Sequence, residues 1–222
     1  MLLVAVDTSG RYGSIALARA GADGSCQAIE VVPLEGGTFS AQLIPQIAAL
    51  LEKHGVSKKD IGGFAVVSGP GSFTGLRVGL AAIKALAEAL NRPIAAVSQL
   101  EVLAERSSQR GRVVAALDAG RGEVYAGTYA VGSGDPVCES EELVPLSELR
   151  QSADARVVTP DKSVADALNG QVPVEIVTRP QSDATAQFGW RKILAGKTVP
   201  PGDLEANYIR RSDAEIFSKS SS

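Results

Sequence analysis

A single histidine, His54, serves all 222 residues, and the two cysteines, Cys26 and Cys138, stand far apart with no Cys-x-x-Cys spacing. Structural zinc sites need several His or Cys ligands at close spacing, so a metal knuckle is excluded, and unpaired thiols fit a reducing compartment. The serines Ser68, Ser72 and Ser98 have no histidine in a credible arrangement, and Glu35, Glu52 and Asp60 show no metal-ligand spacing. No self-sufficient catalytic apparatus of the triad or metal kind is legible. Aromatic residues make up only 5% of the chain, Lys and Arg number 22 against 25 Asp and Glu, and the formal charge is -3. A surface that neutralises many phosphates and stacks on bases is therefore not expected. No apolar run approaches the ~20 residues that cross a bilayer, and no basic stretch precedes the short apolar run Leu2 to Val6, so a cytoplasmic chain is expected.

The chain is rich in core-forming residues, 45% apolar with 23 glycines, enough for two small domains or one large one. Apolar runs at Leu2 to Val6, Ser14 to Ala18 and Ala28 to Val32, separated by turn residues, predict an antiparallel meander. Leu43, Ile44, Ile47, Leu50 and Leu51 recur at helical spacing over Ser40 to His54, with Gly55 as a C-terminal cap. A buried strand at Phe64 to Val67, a helix at Phe73 to Leu90 and a strand at Ile94 to Val97 follow. Three antiparallel strands, helix, strand, helix, strand is the order of a ribonuclease-H-like α/β lobe.

The second half restates the first. Val4-Ala5-Val6-Asp7-Thr8-Ser9-Gly10-Arg11 is matched by Ala115-Ala116-Leu117-Asp118-Ala119-Gly120-Arg121: apolar strand, Asp, small residues, Gly, Arg. Strands are predicted at Val113 to Leu117, Val124 to Val131 and Val137 to Val144, with later elements near Arg156 to Thr159, Val164 to Leu168, Val174 to Val177 and Ala184 to Leu194. The expectation is an α/β fold of two ribonuclease-H-like lobes in tandem, as in the actin-like ATPase superfamily. Residues 1–105 would form the N-terminal lobe and 106–222 the smaller C-terminal lobe, joined near Gln99 to Arg112, with the last helix free to return to the first lobe. Lone Trp190 reads as core, the pair Arg210 and Arg211 as a solvated basic step, and Ser218 to Ser222 as a frayed tail.

Strand-end hairpins of such lobes can face phosphates, which nominates Asp7, Thr8, Ser9 and Asp118, and with them Gly69, Gly71 and Ser72 of the glycine-rich turn Ser68-Gly69-Pro70-Gly71-Ser72. That turn joins a strand to a helix, where Ser72 can cap the helix and its exposed N–H groups can meet an anion. It is neither a Walker A loop nor a Gly-x-Gly-x-x-Gly fingerprint, and a tight packed connection or an Asx turn explains the same residues. The helix that follows has two apolar faces. Leu76, Leu80, Ile83, Ala87 and Leu90 form one; Gly75, Gly79, Ala82, Leu86 and Ala89 form the other. One face suffices to cover a sheet, so the second packs on a neighbouring helix of the same lobe or admits a helix of another subunit, with Leu43, Ile47 and Leu50 of the first helix contributing.

The segment Gly69-Pro70-Gly71-Ser72-Phe73-Thr74-Gly75-Leu76-Arg77-Val78-Gly79 resembles the bacterial TsaB (YeaZ) family. So do Val4 to Ser9, Val97-Ser98-Gln99-Leu100-Glu101, Asp118 to Tyr125 and Asn207 to Glu215, in the family's order along essentially the whole chain. The resemblance implies a supporting, non-catalytic subunit that binds the catalytic subunit TsaD through the two helices and helps recruit the small ATPase TsaE. That assembly moves a threonylcarbamoyl group from its adenylate to N6 of the adenosine following the anticodon of a tRNA. It further implies that tRNA is met only through the complex, that ATP or ADP enters only there, that no cofactor or metal is intrinsic, and that the free chain forms a homodimer. Many family members carry histidine where this chain has Phe39, which weakens any metal role. The rival readings are a stand-alone actin-like ATPase or kinase and a metallopeptidase-like hydrolase of glycoprotease type.

Overall fold

The computed structural model describes residues 1–149 and 156–209; Arg210, Arg211 and Ser218 to Ser222 lie outside them. The chain divides into two compact units. Met1–Ser98 and Pro180–Asn207 form the first, and Gln99–Arg179 with Tyr208 and Ile209 the described part of the second.

In the first unit, β1 (Leu2–Asp7), β2 (Gly13–Ala20) and β3 (Cys26–Leu34) make the meander, and α1 (Phe39–Lys53) leads to β4 (Ile61–Gly69), α2 (Phe73–Leu90) and β5 (Ile94–Ser98). The sheet order is β3-β2-β1-β4-β5, with β1 antiparallel to β2 and parallel to β4. Because side chains alternate across a strand, β1 serves two cores. Val4 and Val6 join Phe64, Val66, Leu43, Ile47, Leu76 and Ile83 on one side, while Leu3 and Ala5 join Ala16, Ala18 and Ala65 on the other. A strand buried on both faces has no polar positions to alternate with, which is why β1 reads as a continuous apolar run. Helix α2 begins at Ser72, whose Oγ accepts the Gly75 N–H, and ends at Asn91 in the left-handed region, φ 50°.

The second unit repeats the plan. After α3 (Gln99–Glu105) come β6 (Gly111–Gly120), β7 (Glu123–Val131), β8 (Val137–Pro145), α4 (Leu146–Leu149), β9 (Arg156–Thr159), α5 (Lys162–Leu168) and β10 (Val174–Ile176). Their order, β8-β7-β6-β9-β10, is the first sheet's order with each strand replaced by its successor five places on, and the parallel and antiparallel pairings correspond one for one. Leu100 and Leu103 of α3 pack on Val113, Ala115 and Tyr129, and Val164 and Leu168 of α5 pack on Val114, Ala116 and Val157 across the sheet. The internal duplication is thus present in the topology.

The helices after the fifth strands are exchanged. Helix α3 follows β5 yet packs in the second unit, and α6 (Ser182–Leu194) follows β10 yet completes the first. The division therefore falls between Ser98 and Gln99, not at 105/106, because α3 is core of the second sheet. Helix α6 lies on the alanine-lined side of the first sheet. A Cβ at Gly189 would stand 2.3 Å from the Ala65 Cβ, so the small residues on both sides set a close approach. Trp190, 5% exposed, fills the remaining space and donates its indole N–H to Gly21 O at 2.9 Å.

Candidate functional site

The end of β1 and the glycine-rich turn after β4 are neighbours in a parallel sheet, and the sequence uses that proximity fully. Asp7 Oδ1 accepts both the Ser9 N–H at 2.9 Å and the Ser9 hydroxyl at 2.7 Å. Ser72 N–H donates to Ser9 O at 2.7 Å, and the buried Thr8 hydroxyl donates to Gly75 O at 2.8 Å. The glycines are required by these contacts. A Cβ at Gly71 would stand 2.3 Å from Ser9 O, at Gly75 2.1 Å from Thr8 O, and at Gly79 2.3 Å from Thr8 Oγ1. Gly69, φ +141°, lies under Asn207, whose N–H donates to Ser68 O at 2.7 Å. Asp7, Thr8, Ser9, Gly69, Gly71 and Ser72 are thus brought together, but in a backbone-on-backbone joint that directs their polar groups at one another.

Asp118 ends β6 in the second unit, as Asp7 ends β1 in the first. Its Oδ1 accepts the Gly120 N–H at 2.7 Å, its Oδ2 the Ser163 hydroxyl at 2.8 Å, and its own N–H donates to Asp161 Oδ2 at 2.9 Å. Asp161 also receives the Arg179 guanidinium. Asp161, Ser163 and Arg179 were not singled out from the sequence. The duplication held the signal, since the residues after β9 stand where the glycine-rich turn stands after β4.

The structure corrects part of the expected partner face. Leu43, Ile47 and Leu50 are 1%, 4% and 3% exposed, and Gly75 and Gly79 are buried against Thr8, so these five are interior to the unit. Ala82 and Leu86 are half-buried against the same core, and Ala89 is exposed. The open side of the helix pair carries Ile44, 46% exposed, with Ala41, Pro45 and Ala48 on α1, and Ala81, Ala85 and Ala89 on α2. Phe73, 37% exposed with the Arg77 guanidinium 3.7 Å from its ring centroid, stands at the start of α2. A groove of about 830 Å³ runs beside it, lined among others by Arg11, Tyr12, Glu35, Phe39, Ser40 and Thr74.

His54, at the end of α1, bonds Glu30 of β3 through Nε2 at 2.7 Å, and Lys53 bonds the other oxygen at 2.7 Å. These hydrogen bonds, the Lys53 one foremost, hold the Glu30 carboxyl below its ordinary range. Burial raises the thiols of Cys26 and Cys138, the latter also through the Glu141 carboxylate, which leaves little thiolate for chemistry. Among the described residues no three His, Cys, Asp or Glu side chains are grouped to hold a metal, and no helix is long and apolar enough to cross a membrane.

A family model described as TsaD, tRNA N6-adenosine threonylcarbamoyltransferase, matches residues 31–149. The chain is 35% identical over 135 residues, 60% of its length and 57% of the relative's, to the tRNA threonylcarbamoyladenosine biosynthesis protein TsaB of Bacillus subtilis. It is 36% identical over 133 residues, 58% of its length and 55% of the relative's, to the protein of that name in Escherichia coli. The matches thus span a little over half the length of these curated relatives. Among solved structures, YeaZ from Pseudomonas aeruginosa superimposes with a TM-score of 0.76 at 27% identity, covering 93% of this chain and 99% of that one.

Proposed function

The chain belongs to the TsaB (YeaZ) family, and from that premise we propose that it is the supporting subunit of a tRNA threonylcarbamoyladenosine-forming complex, docking a TsaD-type catalytic subunit on the open side of α1 and α2. The observation that carries the reading is the exposed residues of those helices, Ile44 on α1 and Phe73, Ala81, Ala85 and Ala89 on α2, apolar positions left in solvent while Leu43, Ile47, Leu50, Leu76, Leu80 and Ile83 are buried in the core. Small residues let a second helix approach closely, and exposed Ile and Phe supply anchors at its rim. In this reading the subunit positions TsaD and helps recruit TsaE. Chemistry, nucleotide and tRNA belong to the assembled complex.

The glycine-rich turn supports a structural role over a phosphate-binding one, since the Ser72 N–H donates to Ser9 O and the Ser72 Oγ accepts the Gly75 N–H. Substituting Ala85→Arg tests the face. The variant should keep the wild-type circular dichroism and melting temperature, yet bind TsaD at least about a hundredfold more weakly, because an unpaired charge buried at an interface costs roughly 3–5 kcal/mol. An Ala85→Arg protein that binds TsaD as the wild type does would remove this face from the reading. Sustained ATP turnover by the isolated chain would favour a stand-alone ATPase instead.

A further inference from the structure

We draw no further inference here: the strongest candidate, the groove of about 830 Å³ between the β1–β2 turn and the starts of α1 and α2, carries nothing, because every polar side chain lining it is exposed, its remaining pull on an anion is that of helix N-termini, and nothing in the structure shows what covers it.

Discussion

Gly79 has no side chain because Thr8 already occupies the place where one would go. The Thr8 hydroxyl is 2.3 Å from the position of a Cβ there, is held to Gly75 O at 2.8 Å, and has no room to retreat at 1% exposure. Gly79→Ala should therefore lower the stability of the first unit by about 1–3 kcal/mol, read as a lower denaturant midpoint with an unchanged slope. An unchanged midpoint would show that the joint yields freely. The same residue marks what a sequence conceals. The periodicity of Gly75, Gly79, Ala82, Leu86 and Ala89 was legible, but a glycine is equally fit for a partner's helix outside and a strand end inside. Only the position of Thr8 decides.

Elements of strong periodicity were legible almost to the residue. Helix α2 spans Phe73–Leu90 as its spacing and flanking turn predict, and α1 spans Phe39–Lys53 against an expected Ser40 to His54. The two-lobed plan was legible because the Asp-ended hairpin recurs. What was not legible was the destination of short helices, since α3 runs on from β5 without a loop and its apolar side does not say which sheet it covers. Nor does spacing reveal cross-element ties such as Glu30 of β3 with Lys53 and His54 at the end of α1. That tie has a pH signature. The folded-state carboxyl lies below its ordinary value, so its contribution is present above that value and is lost as pH falls through the depressed one. Glu30→Gln should lower the melting temperature slightly at neutral pH and converge with the wild type in acid. A constant difference across the range would exclude the charged tie as the cause.

At the scale of the molecule, each sheet is finished by a helix from the other half of the chain. A fragment of residues 1–98 keeps all five strands of the first sheet yet lacks α6, leaving Leu3, Ala5, Ala16, Ala18 and Ala65 without their cover. Such a fragment should be insoluble or molten, with dye binding and no cooperative melt, and adding residues 180–207 in trans should restore a transition. A cooperative melt of 1–98 alone would show that α6 is dispensable.

The exchange also sets a timetable during synthesis. The first sheet's strands are complete when Ser98 leaves the ribosome, but the helix that seals them is roughly a hundred codons away, on the order of 5–20 s at ordinary elongation rates. Throughout that interval the nascent first lobe presents an alanine-lined face that nothing yet covers, while the second lobe, which already has α3, can close as soon as β10 emerges. The lobe written first is thus the lobe finished last, and a holding chaperone has its natural client in the chain between those two moments.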